Sequence, residues 1–554
     1  MNEYQMRDRA KGMYSICLND QHIRVRIAVL KESEAEDTCC KTFKEWAVRN
    51  PQVQVEIIRT GSFGYDDLEP IVMIDKPGKP TVLYRNVTES IATRLIESYL
   101  ESNDPCKDLA FAVLADRSYE GIPAAFGLPL FSMQKRIAMR HCGLIDPENI
   151  DQYIAEFEGY SGLAKTLTMS ISEVNAIMDR SGLRERSGHG CAIHTQWGNF
   201  QKAPASEKIV ICNAFDNDPE ARAGRLLLEG DPHAVLEGLL IAAYAIGASQ
   251  AIVAFPAGYG SMKQLLDKAV TQMKDYNLIG ANILESGFDC DIKIKEVPMA
   301  MIAGEKTALI RFLEGRQPIP VLRNKENPTP ELCNKPVLIN NIETLANVSA
   351  VMQDPDCLEG IGTTDSIGTK IVTLTGAVAH PYTVEIPFGT SIDTVIRGIG
   401  GGVADSGRIK AVQFGSPTAS YLKPDHLSKK ISYETAREVG ADMGFGVIEV
   451  ITDNTCAVEL TEKQMLLLHG QSCGKCVFCR EGTLHMADLL SDIRKGEGTV
   501  KDIELLSELG NKMLVGCVCS FGLTAAKPVL SALELFPEDF EAHLKQKICL
   551  ANLS

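Results

Sequence analysis

The sequence lacks any surplus of positive charge. Its 56 lysines and arginines face 72 aspartates and glutamates, for a formal net charge of -16. No basic patch is left over to displace counterions from a phosphate backbone, which excludes a nucleic-acid binder. An apolar run long enough to span a bilayer is missing too. The nearest candidate, Leu239 to Phe255, is interrupted by Gly247, Ser249 and Gln250. It reads as a buried helix (Pro232 to Gly247) turning into a core strand (Gln250 to Phe255). Neither a secretory signal nor a disulfide framework is expected, although cysteines number 17. They cluster only once, so the expected setting is a reducing, anaerobic cytoplasm.

A chain of 554 residues should divide into several domains, each with its own core. Residues 1–105 read as a thioredoxin-like α/β unit, with strands at Ile23 to Leu30 and Val53 to Arg59, a hairpin (Pro70 to Ile74, Pro80 to Tyr84) and a helix at Val87 to Leu100. Residues 106–168 read as a connector that wraps the next domain, with a helix start capped by Asp146 ahead of Pro147. Residues 169–335 alternate helix and strand, with strands at Lys208 to Cys212, Gln250 to Phe255 and Asp291 to Val297. That is the pattern of a Rossmann-like parallel sheet covered on both faces. Residues 336–365 are expected to be a connecting helix, and 366–452 a compact β-grasp-like module. Gly400-Gly401-Gly402 follows a helix and so lacks the strand-to-helix context of a dinucleotide loop. Residues 453–554 read as a helical bundle, with Met486, Leu489, Leu490 and Ile493 in one apolar stripe and Ile503, Leu506, Leu509 and Met513 in another after a Thr499 cap.

The bundle carries the cysteine cluster, Ser472-Cys473-Gly474-Lys475-Cys476-Val477-Phe478-Cys479-Arg480-Glu481-Gly482-Thr483. Three cysteines at two-residue intervals can aim three thiolates at one small volume, and a remote fourth closes a tetrahedral set. Zinc prefers two paired Cys-x2-Cys arms, whereas a cubane accepts three consecutive ligands and one distant one. A [4Fe-4S] cluster is therefore expected on Cys473, Cys476 and Cys479, with Cys517 or Cys519 as the fourth ligand.

This run is similar to the signature of the NADH-binding flavoprotein subunit of respiratory complex I, and of the related beta subunits of NAD-linked hydrogenases and formate dehydrogenases. The likeness extends from about residue 133 to the C-terminus through Ser181-Gly182-Leu183-Arg184, Cys212-Asn213-Ala214, Asp231-Pro232-His233, Gly304-Glu305 and Asn340-Asn341-Ile342-Glu343-Thr344. The N-terminal domain and the Gln134 to Tyr153 connector resemble the hydrogenase branch. The resemblance implies an FMN-type α/β domain, an SLBB-like β-grasp module and Cys519 as the fourth ligand. It also implies partner subunits carrying other iron–sulfur and flavin groups, among them a small thioredoxin-like [2Fe-2S] subunit.

The family further implies an FMN, read by NADH and held by a glycine-rich loop whose backbone N–H groups approach the phosphate while a lysine neutralises it. Relatives read approximately GLRGRGGAGFPTGLKW there. This chain reads Gly182-Leu183-Arg184-Glu185-Arg186-Ser187-Gly188-His189-Gly190-Cys191-Ala192-Ile193-His194-Thr195-Gln196-Trp197. Glu185 and Ser187 replace glycines, His189 an alanine, and Gln196 stands in the lysine position. Farther on, Met301 and Lys306 replace a tyrosine and a glutamate. Ser62 and Asp66 occupy a Cys-x3-Cys pair of relatives that carry a [2Fe-2S] centre, and the vicinal Cys39-Cys40 pair has the wrong spacing to replace it.

Two functions follow. In the first, the chain is an iron–sulfur electron-transfer or scaffold subunit of a multi-subunit oxidoreductase, with flavin and NADH binding lost or weakened and no catalytic residue of its own. In the second it remains an FMN-dependent NAD(P)H dehydrogenase, Arg184, Arg186 or Lys306 replacing the lysine. Any flavin would then be held by Arg184, Gly188, Gly190, Asn213, Asn340, Asn341 and Thr344. His189, His194 and Cys191 read as a repacked pocket in preference to a new metal site.

Overall fold

The computed structural model describes the chain except residues 15–21, 30–33, 189, 203–206, 217, 323–328, 405–406, 442 and 553–554, together with the side chains of 34–37 and 552. Three five-stranded sheets and a helical C-terminal region make up the described residues.

The first sheet has the order Val55–Thr60, Ile23–Ala28, Ile71–Asp75, Thr81–Tyr84, Ala110–Leu114. Its first pair is parallel and the remaining pairs are antiparallel. Val25 and Ile27 alternate onto one face, where Cys39, Phe43 and Trp46 of the Glu34–Arg49 helix cover them. The sheet runs past residue 105, because Ala110–Leu114 adds an edge strand where the sequence turns irregular. In the connector, Asp146 makes only a turn, accepting from Glu148 N at 2.9 Å. The helix begins later, after Asn149, whose side chain accepts from Gln152 N.

Glu385 fastens this connector. Its fully buried carboxylate accepts from the N–H groups of Ile137, Ala138 and Met139 at 2.8 to 3.0 Å and from Thr369 Oγ1 at 2.5 Å. Consecutive backbone donors converging on one carboxylate form an anion nest, which satisfies a loop that would otherwise bury its polar groups unpaired.

The second sheet has the order Asp291–Val297, Gln250–Pro256, Ile209–Asn213, Lys335–Asn341, Glu331–Leu332, and all but its last pair are parallel. Helices Pro232–Ile246 and Ile342–Gln353 lie in the large core on one face, and Ala303, Leu309 and Ile310 cover the other. The segment expected to be purely a connecting helix contributes the Lys335–Asn341 strand first. A short apolar run buried on both faces has no periodicity to tell strand from helix.

The third sheet, Thr383–Pro387, Thr369–Gly376, Val447–Thr452, Ile409–Gly415, Tyr421–Leu422, mixes one parallel pair with antiparallel ones. It shares an apolar core with the first sheet, in which Phe63 and Tyr65 meet Tyr382 and Phe388. Only glycine fits at 64, where φ is 90° and a Cβ would lie 2.2 Å from Thr383 O. Thr383 N donates to Gly64 O at 2.8 Å, stitching the two sheets together.

The C-terminal region consists of helices Ala457–Gly470, Val477–Arg494, Val500–Gly516 and Lys527–Leu535 with shorter turns. Met486, Leu490, Ile493, Leu506 and Met513 are buried along the expected stripes, and Thr499 forms a capping box with Asp502. Among the described residues no helix is long and apolar enough to cross a membrane.

Candidate functional site

The cysteine loop leaves the Ala457–Gly470 helix and enters Val477–Arg494. Gly474 takes φ 75°, a left-handed turn open to glycine, and Arg480 closes the loop by donating to Gly474 O at 2.7 Å. Cys476 is the N-cap residue of the Val477–Arg494 helix, and Cys479 lies in its first turn. From the opposite side, Cys517 ends the Val500–Gly516 helix and Cys519 begins Ser520–Thr524. Gly522 lets the two halves meet: a Cβ there would lie 2.8 Å from Cys517 Cβ and 3.5 Å from Cys479 Cβ.

Burial, and secondarily the charges of neighbouring thiols, push the Cys519 thiol up to about 11 and that of Cys517 to about 12. Ionising several such thiols together requires a cation among them. Cys473, Cys476, Cys479 and Cys519 interact with one another through their thiols, with Cys517 a fifth thiol beside them.

A tighter donor group, unforeseen in the sequence, lies in the same helical region. The ligand atoms of Cys456, His543 and Cys549 all fall within 4.8 Å of one another and could hold one metal ion. Cys456 Sγ is 3.3 Å from His543 Nε2, and His543 Nδ1 lies 3.0 Å from Arg494 O, the kind of carbonyl contact that orients a ligand imidazole. Its one local signal was His543 and Cys549 six positions apart.

The glycine loop joins two helices. Gly182 ends Ile171–Ser181 in the left-handed conformation, and the chain folds back as a narrow hairpin, Glu185 N donating to Cys191 O at 2.8 Å, before Ile193–Gln201. Gly188 and Gly190 both have positive φ, and a Cβ on Gly190 would strike the Tyr433 ring. The hairpin lies over the carboxyl ends of the central strands, where Asn340 and Asn341 stand in register with Cys212 and Asn213. Ligands bind at this end of an open parallel sheet.

The groups expected to hold a flavin are gathered there, but they are engaged with one another. Asn340, fully buried, donates from Nδ2 to Glu185 Oε2 at 2.6 Å and to Gln196 Oε1 at 2.8 Å, and accepts from Trp197 Nε1 at 3.2 Å. Asn341 N donates to Glu185 Oε1 at 2.5 Å, while its side chain caps Glu343 N. Thr344 Oγ1 accepts from Arg186 N at 2.8 Å. Asn213 donates to Gly304 O at 2.9 Å.

The cations offered as substitutes for the lysine point elsewhere. Arg184 pairs with Glu434 at 2.7 Å, donates to Gly190 O and Asp365 O and lies 4.4 Å over the Tyr433 ring. Arg186 donates to Arg184 O and Ile367 O and stacks on Phe388, and Lys306 donates to Ile339 O at 3.3 Å. His189 lies outside the described residues. Cys191 is exposed and His194 contacts Asp179 and Thr195, so these two do not converge on a site.

Between this region and the cysteine loop lies a cavity of about 570 Å³ lined by Phe215, Asp216, Asp218, Arg225, Tyr259 and Gln471. Burial pushes the Asp216 carboxyl up to about 6 and that of Asp218 to about 7. In the first domain Ser62 donates to Glu69, Asp66 pairs with Arg222, and Cys39 is fully buried in the core. These side chains join domains or pack.

Comparison with known proteins matches residues 178–350 to the Nuo51 FMN-binding domain and residues 459–543 to the NADH-ubiquinone oxidoreductase-F iron-sulfur binding region. The chain is 40% identical over 421 residues to the NADP-reducing hydrogenase subunit HndC of Solidesulfovibrio fructosivorans, covering 76% of this chain and 86% of that protein. It is 32% identical to an F-type NADH-quinone oxidoreductase protein of Rhizobium meliloti, covering 75% and 99%. Among solved structures it matches an NAD+-reducing [NiFe]-hydrogenase with a TM-score of 0.66 at 22% identity, covering 98% of this chain and 90% of that one.

Proposed function

The chain belongs to the family of F-type NADH-quinone oxidoreductase and hydrogenase flavoprotein subunits, and within it we propose an iron–sulfur electron-transfer subunit whose flavin and NADH binding is lost or weakened. Cys473, Cys476, Cys479 and Cys519 would hold a [4Fe-4S] cluster, which would supply one-electron chemistry between neighbouring subunits. The first domain is thioredoxin-like without [2Fe-2S] ligands, the second sheet is a degenerate FMN-type domain, and the third is a β-grasp SLBB-like module. The partners are iron–sulfur and flavin subunits of a hydrogenase- or dehydrogenase-like complex, including a small thioredoxin-like [2Fe-2S] subunit, in the cytoplasm.

The observation that carries this reading is the contrast between thiols gathered at three helix ends and phosphate donors already engaged within the chain. The residues around Asn340 do not fit a flavin phosphate, since the lysine is a glutamine and a carboxylate stands among the donors. No electron-transfer step is therefore routed through a flavin in this chain.

The test is reduction of the purified protein, followed by electron paramagnetic resonance. Dithionite should produce a reduced cubane signal and NADH alone should not. A signal raised by NADH within seconds would favour the dehydrogenase reading.

A further inference from the structure

Glu185 stands where relatives carry a glycine, in a loop whose usual task is to let an anion approach backbone N–H groups. In this chain the anion is already there. The Glu185 side chain is buried, and each of its oxygens takes one donor of the site, Oε1 from Asn341 N at 2.5 Å and Oε2 from Asn340 Nδ2 at 2.6 Å. Asn341 is the N-cap residue of the Ile342–Gln353 helix, so the carboxylate meets the positive end of a 12-residue macrodipole. Tyr433 fixes the backbone of the same residue by donating to the Glu185 carbonyl oxygen at 2.7 Å.

The second substitution fits the first. A phosphate carries close to two negative charges and calls for a cation, whereas a carboxylate carries one and can be held by neutral donors and the helix end. Gln196, in the lysine position, contributes a neutral amide oxygen to Asn340, and among the described residues no ion pair to Glu185 is formed. The exchange of glycine for glutamate and of lysine for glutamine makes one consistent site.

We propose that Glu185 is a built-in anion that takes the place of a cofactor phosphate, keeping the sheet end folded without flavin and barring one from entry. This inference rests on the proposed loss of flavin binding and adds the occupant. Removing the side chain should recreate a small anion site at the N-terminus of Ile342–Gln353 that takes a carboxylate or a phosphate.

The experiment is chemical rescue on the full chain. E185A should melt at a lower temperature than the unaltered protein, and formate or inorganic phosphate should restore it saturably while leaving the unaltered protein unmoved. E185G combined with Q196K, which restores the smaller residue and the cation, should bind inorganic phosphate at least about tenfold more tightly than E185A does. Should E185A fail to fold, hydrogen exchange on the unaltered protein still decides: the Asn341 amide should be protected and indifferent to added FMN. An E185A variant as stable as its parent and deaf to both anions, or an unprotected Asn341 amide, overturns the built-in anion while leaving the lost flavin intact. Stoichiometric FMN bound to the unaltered protein overturns both.

Discussion

The cysteine loop and the glycine loop are both short glycine-bearing turns that lead into helices, and they have fared in opposite ways. In the first, the chain satisfies its own backbone through Ser472 and Arg480, while Cys479 and Cys517 approach each other across Gly522. In the second, Asn340 donates to Glu185 and Gln196, and Thr344 Oγ1 accepts from Arg186 N. The chemistry explains the asymmetry. Grouped thiolates need a metal cation, and no side chain can stand in for one. A phosphate is only an anion on N–H groups, and a carboxylate on a side chain makes the same contacts.

The largest expected effect falls on the first loop. Replacing Cys476 by serine should abolish the cubane signal in the dithionite-reduced protein, while Cys517→Ser should leave it. If Cys517→Ser removed the signal and Cys519→Ser did not, the fourth ligand would be the wrong member of the pair.

Next comes the support beneath the second loop. Lys370 and Glu343 form a buried pair at 2.5 Å, both side chains almost wholly inaccessible, and Glu343 also accepts from Ile371 N. It ties the helix that receives Glu185 to the third sheet. Lys370→Met leaves an uncompensated carboxylate, and urea denaturation should show a loss of about 3–5 kcal/mol. A loss below about 1 kcal/mol would mean that this helix is held by packing alone.

A smaller, pH-dependent effect belongs to the cavity between the loops. Asp218 is raised to about 7 by burial, reinforced by Glu220, Asp216 and Glu449. The unfolded chain therefore ionises first, near pH 4, and stability drains away as pH rises from there to about 7. Asp218→Asn cannot ionise, so its stability should match the parent at pH 4 and exceed it above pH 7, by at most about 4 kcal/mol. Parallel profiles would mean that the Asp218 carboxyl ionises in the folded protein as it does in the unfolded chain.

Much of the architecture was legible because its signals are local. The alternation of Val25 and Ile27, the apolar stripe through Met486 and Leu490, and the Thr499 cap each follow from a few neighbouring residues. Lys335–Asn341 was harder, since a strand buried on both faces carries no period. The cysteine motif announced its chemistry by spacing, but that Cys517 and Cys519 would both return beside Cys479 depends on how the Val500–Gly516 helix packs. At Glu185 the sequence revealed an added charge, but not that it would turn inward onto Asn341, 156 positions away. His543 and Cys456, 87 positions apart, were hidden for the same reason.

The contrast between the two loops is most directly tested by counting what the protein carries. Purified without oxygen, it should contain about four irons and four sulfides per chain and no stoichiometric flavin. One flavin per chain, released by heat and bleached by NADH before release, would contradict the account.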